Sequence, residues 1–303
     1  MRDAADAPSR QSDRPRSLPR RIARIAAVAL VTLLVAELAL RSAAWVAGDR
    51  IARLRDDPAL LQDADVAVYG DSTPFGLGAS TSFPRELAIA TGEKVVNRSQ
   101  PGINSSQTAV ILREDLTRYR PRVIVVEAGV NDAWNLADVD PDLLGPLGAW
   151  RRYLPEPRLW RLARIWLTTG PGATAYDTMK PGRGDWKRRF ETEAQLGPEE
   201  VAKITRRSFD RMIAAASANG AEILFLGYQA PGWHGSADAV SALLSREYPD
   251  RFIDLRSLFA GREAELILPD AIHPTDAGHR VIAERLRDEL ARRGLLREHG
   301  ARS

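Results

Sequence analysis

Along most of the chain, short apolar runs alternate with longer stretches of helical period. DVAVYG (65–70), KVVNRS (94–99), RVIVVEAG (122–129), AEILFLGY (221–228) and RFIDL (251–255) each read as a strand. The third is apolar along nearly its whole length, as a strand covered on both faces should be. Between the strands, residues 84–92, 105–120, 198–219, 237–246 and 275–293 carry apolar positions at helical spacing, and Gly92 and Gly220 supply two helix stops. A linker helix is expected over 51–62. Strands alternating with helices predict an α/β fold with an open, doubly wound parallel sheet, whose ligands bind outside the C-terminal strand ends.

The N-terminus departs from this pattern. Residues 1–21 are polar and rich in Arg, Pro and Ser, and read as a disordered cytoplasmic tail. From Ile22 the sequence IARIAAVALVTLLVAELALRSAAWVAG is apolar enough to enter a bilayer, although Glu37 and Arg41 interrupt it. Tilting and snorkelling accommodate those charges in a transmembrane helix over 22–47. Six arginines between Arg10 and Arg24 lie ahead of the uninterrupted apolar run at 25–36, against four from Arg41 to Arg55 after it, which predicts a cytoplasmic N-terminus and an exported body. A cleaved signal peptide ending near SAA also implies export, whereas a helix of a soluble domain does not. The expected organisation is therefore a tail, a span at 22–47, a linker at 48–64, a catalytic-sized domain at 65–296 and a second disordered tail at 297–303.

With 303 residues, of which 44% are hydrophobic, the chain has material for one sizeable core. The formal charge of +3 is mild, and the basic residues are spread along the chain rather than gathered into a phosphate-tracking stripe, so no nucleic-acid partner is expected. The absence of cysteine excludes disulfides, thiolate chemistry and a lipid-modified N-terminal cysteine.

Four polar clusters fall at predicted strand ends or immediately before a helix. Gly70-Asp71-Ser72-Thr73 follows the first strand; a turn there offers a hydroxyl together with backbone donors, while Asp71 reads as structural. NRSQPGINSS (97–106) follows the second, and Gly102 in its Pro-Gly turn lets backbone approach a ligand. GVND (129–132) follows the third, and the Asn131 amide is a neutral donor suited to developing negative charge. DAIHPT (270–275) precedes the last helix, at a spacing that lets Asp270 fold onto the His273 imidazole and fix its tautomer. Each cluster alone is compatible with an ordinary turn or helix cap, but their order along the chain is not that of unrelated turns.

The set resembles the SGNH hydrolases, the GDSL esterase/lipase superfamily, whose four blocks are matched by GDS with Ser72, PGINS with Gly102, GVND with Asn131 and DAIHP with Asp270 and His273. The resemblance covers residues 66–291, with 133–197 outside it, and Thr73 stands where leucine is frequent. It implies a flavodoxin-like three-layer αβα sandwich. It further implies Ser72 as nucleophile, Asp270 and His273 as its triad partners, and an oxyanion hole from Ser72, Gly102 and Asn131, with no metal or organic cofactor. The implied reaction is acyl transfer from an ester through an acyl-serine. A small-acyl esterase acting on O-acetylated saccharide is expected, with an O-acyltransferase, a lipid esterase and an inert binding domain as the competing functions. The insertion at 133–197 carries five of the seven tryptophans. It reads as a cap over the cleft, a membrane-surface segment or a structural elaboration.

Overall fold

The computed structural model describes residues 18–52, 55–136, 138–143, 157–160, 163, 198–231 and 236–297. Five parallel strands form one sheet: β1 (Val66–Gly70), β2 (Val95–Asn97), β3 (Val123–Glu127), β4 (Glu222–Leu226) and β5 (Phe252–Ile253), in the spatial order β2-β1-β3-β4-β5. In register, Val66 pairs with Val95 on one side and with Val123 on the other, and Val123 pairs in turn with Glu222. This is the flavodoxin-like order, whose topological switch point lies between β1 and β3.

Alternate strand residues divide between two cores, as the period of two requires. Ala67, Tyr69, Ile124, Val126, Ile223 and Phe225 face α4 (Ser105–Leu116), α5 (Pro198–Asn219) and α6 (Ser236–Glu247). Val66, Val68, Val123, Val125, Leu224 and Leu226 face the other layer, in which Phe83 and Leu87 of α3 (Phe83–Thr91) pack near Ile282 and Leu286 of the last long helix. Four short or terminal helices complete the described body and are numbered in chain order: α2 (Ser72–Phe75), α7 (Arg256–Phe259), α8 (Glu263–Leu266) and α9 (Asp276–Arg292).

Several elements differ from expectation at their ends. The helix expected over 105–120 stops at Leu116, where the Arg118 and Tyr119 N–H groups turn back to Asp115 O; Pro121 disfavours helical backbone at Arg120. The expected linker helix over 51–62 is not continuous. A 35-residue helix, α1 (Leu18–Ala52), ends first, and a separate 3₁₀ turn runs from Pro58 to Asp63. Pro58 cannot sit inside a helix, because its ring clashes with the preceding turn, whereas at a helix start it is accommodated, here after the capping carboxylate of Asp57.

Within α1, residues 20–47 form a candidate membrane span by length and composition. At ~1.5 Å per residue this stretch exceeds a ~30 Å hydrocarbon layer. Its apolar side chains, among them Leu30, Leu33 and Leu38, are exposed in the isolated molecule. The tail expected at 1–21 falls outside the described residues except for its last four, which belong to α1. Most of the insertion at 133–197, and 298–303 of the expected C-terminal tail, also lie outside them.

Candidate active site

β1 runs into α2 without a linker of its own beyond Asp71, so the first residue of that helix, Ser72, stands at the C-terminal edge of the sheet. The approach requires glycine at position 70: a Cβ there would lie 2.1 Å from Glu127 O, the carbonyl that accepts the Asp71 N–H. Asp71 caps α2. Its Oδ1 accepts the Thr73 N–H at 3.1 Å, and its Oδ2 accepts the Tyr228 hydroxyl. This agrees with a structural role for Asp71.

His273 arrives from the opposite end of the domain. The loop after α8 folds back on itself through a bridge between Ile267 and Pro274, with Leu268 N donating to His273 O at 2.7 Å. Asp270 organises its tip, accepting the N–H groups of Ile272 and His273 on Oδ1, both at 3.0 Å, while Oδ2 lies 2.7 Å from His273 Nδ1. His273 Nε2 is then 2.8 Å from Ser72 Oγ, across 201 positions of sequence. With an ionised Asp270 accepting from Nδ1–H, Nε2 is the ring's acceptor. Burial pushes the Asp270 carboxyl up, but the His273 hydrogen bond and charge and the two backbone donors outweigh it, leaving the group below its ordinary range. Asp270 is therefore ionised at neutral pH and able to accept from Nδ1–H.

The loops after β2 and β3 close the same edge. Gly102 has a φ of +78°, in the left-handed region that favours glycine, and the Trp134 ring lies 3.8 Å from where its Cβ would be. Asn104 caps α4 in a reciprocal capping box with Gln107. Asn135 donates to Gly102 O and to Gln107 Oε1, both at 2.8 Å, which ties the Gly102 turn to the segment after β3.

Asn131 is buried in that segment. Its Nδ2 donates to Ile103 O at 2.8 Å, and its Oδ1 accepts the Trp134 indole N–H at 3.1 Å. Because an indole nitrogen can only donate, this contact fixes which end of the amide is oxygen, and it leaves one Nδ2 hydrogen available. The next residue, Asp132, is held by Ser105 N (2.7 Å), Ser105 Oγ (2.6 Å) and Thr205 Oγ1 (2.6 Å), with burial raising its pKa to about 6.

Three features were absent from the sequence reading. Trp134 orients Asn131, and only its helix-like spacing of three from Asn131 hinted at the contact. Tyr228 and Gln229 stand just beyond β4, the one long strand end to which no polar cluster had been assigned; Gln229 Nε2 donates to Ile272 O at 2.8 Å. Glu127, the last residue of β3, is fully buried, and neither carboxyl oxygen has a hydrogen-bond partner among the described residues.

Burial first, and then the charge of Asp71, raise the Glu127 pKa well above its ordinary 4.5. A carboxyl whose folded pKa is raised supports folding fully only below the unfolded value, and that support is lost as pH rises towards the folded value. Asp71, raised to about 6 by burial, and Asp132 act in the same direction only up to that pH. Above it, Glu127 contributes a fall of up to about 1.4 kcal/mol in unfolding free energy per pH unit. Urea unfolding of Glu127→Gln from pH 6.5 to 8.5 should therefore show a flatter decline than the parent protein; parallel declines would mean that Glu127 is not the buried acid.

The sheet order and the gathering of polar residues at its switch point define a doubly wound α/β enzyme. A family model, GDSL-like Lipase/Acylhydrolase family, matches residues 68–281, well over half of the chain. The chain belongs to that family and is a serine hydrolase. Among solved structures, TesA is 19% identical, with a TM-score of 0.46 over 76% of this chain and 99% of that one. The acetyl xylan esterase AlAXEase is 14% identical, with a TM-score of 0.46 over 74% and 99%. The lipase/acylhydrolase from Enterococcus faecalis is 14% identical, with a TM-score of 0.44 over 78% and 98%. No curated protein matches by sequence. Among the described residues no cluster of three or more His, Asp or Glu side chains is set to hold a metal ion.

Proposed function

We propose that this hydrolase cleaves small O-acyl esters, acetyl foremost, from a saccharide at the outer face of a membrane, with Ser72 as nucleophile, His273 as general base and Asp270 as its orienting carboxylate. The observation that carries the assignment is the unbroken Ser72–His273–Asp270 chain, with both of its links under 3 Å. Ser72 Oγ attacks the ester carbonyl carbon while its proton passes to Nε2. The carbonyl electrons move onto oxygen, where the Ser72 and Gly102 N–H groups and the free Asn131 hydrogen can donate. Collapse expels the alcohol, which takes the proton from His273, and water repeats the sequence on the acyl-serine.

Support for a small acyl group and a sugar-bearing alcohol comes from Trp134, an aromatic ring held beside Gly102 and Asn131, where it narrows the site and offers a stacking face. Support for a retained anchor comes from Glu37. This carboxylate in the apolar part of α1 accepts the N–H groups of Arg158 and Leu159 at 3.0 and 2.9 Å and pairs with Arg41 at 2.7 Å, so the insertion engages the helix directly. The arginine bias before α1 favours an extracytoplasmic catalytic domain.

The test uses the full chain in detergent or vesicles, offered acetylated saccharides, short-chain esters and phospholipids, with free acid and transferred acyl product measured separately. Release of free acetate from acetylated saccharide in preference to the other substrates is expected. Predominant transfer of the acyl group to a second saccharide, or a preference for phospholipid, would replace this reading.

A further inference from the structure

Tyr228 lies beyond the end of β4, outside the four polar loops, yet its hydroxyl touches two of them. It donates to Asp71 Oδ2 and accepts the Val130 N–H at 3.2 Å. Asp71 carries the turn that presents Ser72, and Val130 is the residue before Asn131. One buried oxygen therefore joins the turn of the nucleophile to the turn of the candidate oxyanion donor.

The tyrosine is itself held firmly. Its backbone N–H donates to Ser241 Oγ of α6 at 3.0 Å, and the preceding Gly227 N–H donates to Ile253 O of β5 at 2.9 Å. The direction of the relay follows from donor inventory: an amide N–H cannot accept, so the single hydroxyl proton must go to Asp71. Burial and the Asp71 charge keep Tyr228 protonated well past its ordinary range.

The geometry points to Tyr228 as a positioning residue for the acyl-transfer reaction, one that sets the distance between the Ser72 hydroxyl and the oxyanion donors by clamping the β1 and β3 turns together. This inference rests on the assignment of Ser72 and Asn131 above. Without the hydroxyl, Asp71 Oδ2 and the Val130 N–H each lose a buried partner, and the two turns can relax independently. A displacement of about 1 Å between reacting groups costs on the order of 10²-fold in rate.

The clamp also sets the charge of Asp71. The groups facing that carboxyl are Tyr228 from the segment after β4, His273 from the loop before α9, and Glu127 and Asp132 from β3 and the turn after it. Burial raises Asp71; the Tyr228 hydrogen bond and the charge of His273 lower it, and Asp132 raises it. Losing the hydroxyl removes a donor to the ionised form, so Asp71 should take up its proton at higher pH.

The test is Tyr228→Phe, which keeps the ring in its core position, assayed on a chromogenic acetate ester with active sites titrated by a fluorophosphonate, so that rates refer to reactive serine alone. A fall in kcat of ~10- to 100-fold with KM within ~3-fold is expected, with the acidic limb of the pH profile moved upward. The Tyr228→Phe/Asp71→Asn double variant should be slowed by less than the product of the two single losses, since both changes break the same clamp. An unchanged kcat per titrated site, an unmoved acidic limb, or losses that simply multiply in the double variant would overturn the clamp. Ser72→Ala, run in parallel, separates the two ideas: if it retains acetate hydrolysis the nucleophile assignment fails, whereas an inactive Ser72→Ala beside a fully active Tyr228→Phe removes only the clamp.

Discussion

Replacing Ser72 by alanine is expected to lower turnover of a chromogenic acetate ester by on the order of 10⁶-fold, and to eliminate labelling by a fluorophosphonate. The size of the effect follows from what the substitution removes. Without Oγ no covalent acyl intermediate can form, and the hydroxyl oxygen that His273 Nε2 faces at 2.8 Å is gone. Whatever rate remains comes from binding and from donors at the oxyanion position acting on attack by water. Ser72 is half-buried at the first residue of a four-residue helix whose cap is the Asp71 carboxylate, so loss of one hydroxyl leaves the turn intact. A melting temperature close to that of the parent, together with lost turnover, is the result that supports the assignment; retained hydrolysis or labelling would move the nucleophile elsewhere.

Asp270→Asn is expected to cost about 10⁴-fold in kcat, with little change in KM. Asparagine can fill the same space, and its Oδ1 can still accept the Ile272 and His273 N–H groups that shape the loop. Its NH₂ end, however, would face His273 Nδ1 as a donor. The imidazole must then carry its hydrogen on Nε2, where it donates to Ser72 Oγ instead of accepting from it. The base is present but in the wrong tautomer. Because the parent carboxyl lies below its ordinary pKa range, its charge persists well into the acid, and the parent should not lose activity there through Asp270. Measuring kcat from pH 5 to 9 for both proteins checks the claim: a variant within ten-fold of the parent across the range would show that His273 does not depend on Asp270 for its tautomer.

Both expectations concern residues visible in the sequence as polar interruptions of an apolar pattern. GDS, the PGINS turn, GVND and DAIHP stood out because a loop at a strand end has no local reason to combine a hydroxyl, glycines, an amide and an imidazole in that order. The parallel sheet was legible for a similar reason. Runs such as VIVVE and EILFL, apolar on both faces, demand cover on both sides, and the helical segments between them supply it. Boundaries were less legible where a single residue decides them, as Pro58 and Pro121 do by disfavouring helical backbone at the residue before them.

Other features depended on distance in space. Glu127 lies within the run read as the third strand, and its complete burial depends on the packing of the whole domain. Tyr228 closes the run read as the fourth strand, and its hydroxyl meets Asp71 157 positions away. The contact of Glu37 with the insertion spans 121 positions and has no counterpart in any local pattern.

The amino-acid sequence by itself determined the alternation of strands and helices, the apolar N-terminal helix and the chemistry available at each strand end, because periodicity and turn preference act over a few neighbouring residues. Only the tertiary structure decided which of those ends share one edge, which carboxyls lose their water and which tyrosine joins two turns, because such contacts depend on strand order and on burial, and these are properties of the packed chain as a whole.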